Sequence, residues 1–237
     1  MNIKINDLTI QRDGQMLLEN LSVEFADKQI TAIVGVSGAG KTTLLHALAG
    51  LVPVDSGTIE PTLSAKEVAL VMQEHGLFPW KTVKQNIELA RLNKGQKPHW
   101  FQKLVTALGI ETLLNRYPHQ LSGGQSQRVA IARALYQEAK VILMDEATAS
   151  LDEVTQLKWQ QLLQRIQTQY PVTIIYVTHR LQEAVALSQR IVLMSNGRIV
   201  KIIERDNALS TAQQEAQLRS QLMQLMEEQD ADEATTR

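Results

Sequence analysis

Apolar positions follow two rhythms along this chain, and the rhythm changes mark its elements. Residues 3–10 and 17–25 alternate with a period of two: Leu21, Val23 and Phe25 are separated by Ser22 and Glu24. That spacing predicts half-buried strands, with Gly14 at the turn between them. Near-continuous apolar runs stand at Ile30–Val34, Val68–Met72, Val141–Met144 and Val172–Val177. Such runs predict strands covered on both faces. Ile191–Met194 and Arg198–Val200 flank Asn196-Gly197, a hairpin signal. Pro53, Asp55, Ser56 and Gly57 predict a loop.

Helical spacing fills the intervals. From about 82 to 116, Trp100, Phe101, Leu104, Val105 and Leu108 share one face, with Pro98 in a tolerant first turn and Gly109 as the stop. These aromatics read as core rather than as a ligand box. Helices are predicted from Leu121–Gln125 to about Tyr136, and over about 152–169, ending before Pro171. From about 208, Leu209, Ala212, Ala216, Leu222, Met223 and Met226 recur at helical spacing, read as a helix packed on its own domain. The acidic stretch Glu227 to Arg237 predicts disorder. The expected fold is α/β, with a mostly parallel sheet, an antiparallel β subdomain and an inserted helical subdomain. The core spans 1–203, the insertion about 76–136, and the C-terminal helix and tail 204–237.

Composition narrows the chemistry. With 24 Lys and Arg against 25 Asp and Glu in 237 residues, there is no electrostatic case for a nucleic-acid partner. The absence of cysteine excludes disulfides, thiolate catalysis and Cys-ligated zinc. The strand-like start has no signal-peptide h-region. No apolar run approaches a membrane span, so work at a membrane would need another chain to cross it.

Gly35-Val36-Ser37-Gly38-Ala39-Gly40-Lys41-Thr42-Thr43 joins a strand to a helix with the spacing G-x-x-x-x-G-K-T. This is a P-loop, which makes the expected core that of a P-loop NTPase; its backbone N–H groups converge on phosphate oxygens. Lys41 would reach the β- and γ-phosphates of ATP, and the Thr42 hydroxyl would ligate Mg²⁺. A tight βα turn with a solvated lysine is the alternative. It leaves the agreement of both glycines, the lysine and the threonine unexplained.

Three other runs end on polar groups: Gln73, Asp145-Glu146 and His179. A parallel sheet binds ligands beyond the carboxyl ends of its strands, so one sheet would bring all four endings to a single edge. Asp145 would hold Mg²⁺, directly or through water, since a hard cation takes oxygen ligands. Glu146 would polarise the attacking water. Gln73 would orient water or Mg²⁺, or is a loop amide. His179 would hydrogen-bond the γ-phosphate, or is structural. Ser122-Gly123-Gly124-Gln125 fits a capping box, yet its two glycines weaken a helix and suit close approach of an anion. The P-loop already covers one side of the phosphates, so this second terminus would cover ATP on another copy.

With these residues the chain resembles the ATP-binding subunit of an ABC transporter, from about 3 to 203. Gly35–Thr42 matches Walker A, Gln73 the Q-loop, Leu121–Gln125 the LSGGQ signature and Val141–Glu146 Walker B. Ala149–Asp152 matches the D-loop, and His179 the switch histidine. The resemblance implies a head-to-tail dimer, a homodimer or a pair of cassettes, with two ATP sandwiched between Walker motifs and signatures. It also implies a transmembrane permease subunit coupled at the helical subdomain, a solute-binding protein, and a place at the cytoplasmic face of the cell membrane. Tyr117-Pro118-His119-Gln120 is similar to importers, and Gly76–Val83 to the nitrate, sulfonate and taurine group.

The chain departs from the family in three places. Its D-loop reads Ala-Ser-Leu-Asp, Arg180 follows His179, and Arg12 stands where an aromatic residue usually stacks on adenine. Arg12 would contact the base or is a solvated arginine. The rival functions are an exporter ATPase, a soluble ABC-type clamp and a nucleotide kinase. The kinase has no use for Ser122–Gln125, and the clamps usually carry a second cassette or a long coiled coil.

Overall fold

The computed structural model describes residues 1–72, 76–91, 100–146, 153–206 and 208–235, with 153–154 and 225–235 as backbone only. Nine strands are described: β1 Ile3–Arg12, β2 Gln15–Phe25, β3 Ile30–Gly35, β4 Ser56–Glu60, β5 Val68–Val71, β6 Val141–Asp145, β7 Thr173–Val177, β8 Arg190–Ser195 and β9 Arg198–Glu204. The α-helices are α1 Lys41–Leu48, α2 Val83–Glu88, α3 Phe101–Leu108, α4 Gly123–Tyr136, α5 Glu153–Gln169, α6 Leu181–Leu187 and α7 Thr211–Thr235. The strands form a three-stranded antiparallel sheet, β2-β1-β4, and a six-stranded sheet, β5-β6-β7-β3-β8-β9. The larger sheet is parallel except for the β8–β9 hairpin.

Alternation along the central strands divides the interior into two layers. Ala32, Val34, Ile142, Met144, Ile174 and Leu193 face the helices α2 to α6. Ile33, Val141, Leu143, Ile175, Val177 and Val192 face α1 and the antiparallel sheet. Because both faces are covered, the strands are apolar at nearly every position. This accounts for the unbroken runs in the sequence.

The helical insertion packs as expected. Leu104, Val105 and Leu108 are buried, and Trp100 and Phe101 meet Tyr136 edge to face. Gly109 closes α3 in the left-handed conformation, at φ 64°. Pro98 lies outside the described residues.

Two expectations need correction. The loop predicted around Pro53–Gly57 runs into β4, which pairs antiparallel with β1. Gly57, at φ 88°, would carry a Cβ 2.5 Å from the Asn6 and Asp7 carbonyl oxygens, so the strand itself demands the residue that signals a turn. The terminal helix α7 runs from Thr211 to Thr235. The docking face of α7 also differs. Leu218 is buried, with Leu222 packed beside it, while Ala212, Ala216 and Met223 are exposed. α6, not expected as a separate element, supplies the surface against which α7 packs.

Candidate active site at one edge of the sheet

Strands β5, β6, β7 and β3 are consecutive and parallel, so their carboxyl ends share one edge. The P-loop leaves that edge from β3. Gly35 is obligatory there, since a Cβ would stand 2.2 Å from the Met194 carbonyl oxygen of β8. Gly40, at φ 89°, precedes α1, and its Cβ would meet the Leu18 side chain at 2.7 Å and the Leu17 carbonyl oxygen at 2.8 Å. Gly38, at φ 79°, has open space on its Cβ side. Ser37, Gly38 and Thr42 are exposed, whereas Ala39 is buried and Val36 and Thr43 are half-buried. The loop is thus pinned from behind and open in front.

The Lys41 side chain is buried and folds over the loop, donating to the Gly35 oxygen at 3.0 Å and the Val36 oxygen at 2.7 Å. Burial lowers the ammonium pKa, against the opposing pull of the Glu146 and Asp145 charges. At the end of β6, burial raises the Asp145 pKa, opposed by the neighbouring Thr42 hydroxyl. Asp145 Oδ1 is buried and has no hydrogen-bond partner among the described residues. An unpartnered carboxylate oxygen beside a threonine hydroxyl suits a hard divalent cation, whose ligands are oxygens. Mg²⁺ fits this pair, and would supply charge neutralisation at the phosphates.

Glu146 follows with φ 45°, a left-handed conformation unusual for a residue with a side chain. Its N–H donates to the Val177 oxygen at 3.1 Å, which ties the turn to β7. Glu146 Oε1 lies 2.5 Å from His179 Nε2, and both side chains are partly exposed. The P-loop lysine, both carboxylates and the histidine therefore belong to one cluster. Gln73 and the D-loop Ala149–Asp152 lie outside the described residues; β5 delivers the chain to the same edge beside β6.

Ser122–Gln125 stands apart. The Gln125 N–H donates to Ser122 Oγ at 3.3 Å, and the Ser122 N–H donates to Gln125 Oε1 at 3.0 Å. This capping box closes on itself, with Gly123 exposed and Gly124 half-buried. Among the described residues none of its hydrogen bonds reaches the P-loop. Arg12 is exposed in the β1–β2 hairpin, where Asp13 and Gly14 adopt positive φ. Its guanidinium makes no hydrogen bond or ion pair among the described residues.

One connection escaped the sequence reading. Thr178 and Glu183 form a buried hydrogen bond directly behind His179. A threonine at a strand end and an acid in a first helical turn carry no signal of burial in one dimension.

The ABC transporter family profile matches residues 18–149. The aliphatic sulfonates import ATP-binding protein SsuB 2 of Agrobacterium fabrum is 40% identical over 193 residues, covering 79% of this chain and 74% of that protein. SsuB 1 of Pseudomonas fluorescens is 36% identical over 228 residues, covering 94% and 86%. Among solved structures, cbiO1 of Clostridium perfringens, part of the ABC transporter complex cbiONQ, superposes with a TM-score of 0.78 at 27% identity, covering 85% of this chain and 88% of that one. A dimeric bacterial ABC transporter cassette gives 0.74 at 27% identity, covering 86% and 99%. By family profile, relatives and shared architecture, the chain belongs to the ABC transporter family as an ATP-binding, ATP-hydrolysing subunit.

Proposed function

We propose that this chain powers an ABC importer, with aliphatic sulfonates as the class of cargo, by closing and reopening a dimer around ATP. The observation that carries the catalytic part is the meeting of Glu146 and His179 beside Lys41 and Asp145. In this reading Glu146 polarises the attacking water, and His179 holds Glu146 in place and faces the γ-phosphate. Lys41 and the N–H groups of Gly35–Thr43 bind the phosphates, while Thr42, Asp145 and Gln73 hold Mg²⁺. Ser122, Gly123, Gly124 and Gln125 meet ATP on the partner cassette. The names of the sulfonate import relatives support the direction and the cargo.

Among the described residues no helix is long and apolar enough to cross a membrane. Membership of the family supports a place for the chain at the cytoplasmic face, under a permease that works with a solute-binding protein. Phe78 and Trp80 form the docking face. Both are exposed, at 41% and 69%, and lie 5.5 Å apart edge to face. The fully buried Asn86 holds their loop, accepting from the Phe78 N–H at 2.8 Å and donating to the Lys81 oxygen at 3.0 Å. The test is sulfonate uptake by cells lacking the chain, together with co-purification of a hydrophobic subunit. Uptake restored by the parent, and a Trp80→Ala chain that no longer co-purifies the subunit, are the expected results. Unchanged sulfonate uptake without the chain removes the cargo assignment.

Arg12 is proposed to stack on the base. β2 presses Leu17 and Leu18 against Gly40, which brings the hairpin alongside the P-loop. A planar guanidinium stacks on any base, so ATP and GTP should bind with similar affinity. Arg12→Ala should weaken both, by about 1–3 kcal/mol for a lost stack, and Arg12→Tyr should retain binding. Calorimetry on the three proteins decides; undiminished ATP affinity in Arg12→Ala makes Arg12 a surface residue.

A further inference from the structure

His179 sits on a three-residue segment, Thr178–Arg180, between β7 and α6. Four hydrogen bonds tie that segment down. The Thr178 N–H donates to the Ile33 oxygen of β3 at 3.2 Å. The Thr178 hydroxyl donates to Glu183 Oε2 at 2.8 Å, away from water. The same hydroxyl oxygen accepts the Arg180 N–H at 3.1 Å. Arg180 Nη1 donates to Gln156 Oε1 of α5 at 2.5 Å. One hydroxyl therefore fixes the residues on both sides of His179, whose Nε2 lies 2.5 Å from Glu146 Oε1.

Glu183 is fully buried in the first turn of α6. An acid in that turn favours the helix from the surface as well. Burying it adds a desolvation cost that helix stability does not require. The Tyr176 hydroxyl, also buried, has its pKa raised first by burial and then by the Glu183 charge.

We infer that Glu183 and Thr178 are positioning residues for ATP hydrolysis: Glu183 anchors the Thr178 hydroxyl, and that hydroxyl sets the turn that presents His179 to Glu146. This rests on the role given to His179 above. The test measures single-turnover ATP cleavage and MgATP affinity on the full chain. Thr178→Val should slow cleavage about ten- to a hundredfold and leave affinity within about twofold. Thr178→Ser, which keeps the hydroxyl, should recover the parent rate to within about threefold, a rescue that general loss of packing would not give. Glu183→Gln keeps an acceptor oxygen and should lose less than Thr178→Val. In a His179→Ala background, Thr178→Val should cost less than about twofold, because residues acting through one group are not additive. A full loss in that background, or failure of Thr178→Ser to recover, overturns the inference. His179→Ala alone, if it cleaves at the parent rate, removes the role of His179 independently of the cycle.

Discussion

Two helices of this chain begin beside glycines, and their ends are built in opposite ways. α1 starts after Gly40, which has a left-handed backbone and no side chain to cap the first turn. α4 starts after Ser122, whose hydroxyl and whose partner Gln125 satisfy each other's N–H groups. A third helix, α2, carries the same box as α4, with Thr82 and Gln85. So the box alone says nothing about anions. What separates α4 from α2 is Gly123-Gly124, which opens the first turn to close approach. No side chain caps the first N–H groups of α1, which suit an anion. The box at α4 satisfies the Ser122 and Gln125 N–H groups and leaves those of Gly123 and Gly124, in the first turn, to a ligand or to solvent. In a sandwich dimer these are complementary halves, one holding the nucleotide and the other closing over it.

The comparison can be broken most severely at Glu146. Glu146→Gln keeps the size but accepts a proton poorly, so turnover should fall by about 10²–10⁴-fold while both termini stay intact. The variant should elute as a dimer with MgATP in size exclusion. Parent-like turnover would remove Glu146 from its role. Lys41→Ala acts on the α1 side alone. Losing a charge-assisted contact of about 1.5–3 kcal/mol should weaken nucleotide binding in the monomer, as calorimetry would record. Unchanged affinity would contradict the P-loop assignment.

Ser122→Arg acts on the α4 side alone. The monomer should bind ATP as the parent does, and dimer closure should fail. Mixed with Lys41→Ala, it yields a heterodimer with one doubly damaged site and one intact site, so about half of the parent's site occupancy should survive. Equal loss at both sites would contradict the head-to-tail arrangement. The finest distinction comes from Ser122→Ala, which removes a cap worth about 1 kcal/mol. Denaturant unfolding should register that loss, with ATP affinity of the monomer unchanged. A fall in monomer affinity would mean that the two termini are not independent.

The sheet edge was legible because strands covered on both faces announce themselves as apolar runs, and parallel order then fixes which ends meet. β4 was not, since Pro53, Asp55, Ser56 and Gly57 speak for a loop until pairing with β1 is seen. The face of α7 was misread for a related reason. Periodicity ranks apolar residues without knowing what they will meet, and Leu218 was passed over for Ala212, Ala216 and Met223. The polar residues at strand ends could be proposed from spacing. The support behind them could not, because Thr178 and Glu183 become a buried pair only when the turn at Thr178–Arg180 sets α6 against β3.

The turn at Asn196-Gly197 touches the phosphate loop from the far end of the chain. The Gly197 N–H donates to the Ala39 oxygen at 3.3 Å, and the Glu19 N–H donates to the Gly197 oxygen at 3.0 Å. A Cβ on Gly197 would stand 2.6 Å from the Leu17 oxygen, so the turn is wedged between β2 and the loop. During synthesis the loop emerges early, while the residues that brace it emerge only after most of the domain. A ribosome-bound chain that has exposed Lys41 but not Gly197 carries the motif without its backing. The order of translation thus delays a fully braced nucleotide site until the β8–β9 hairpin has left the ribosome.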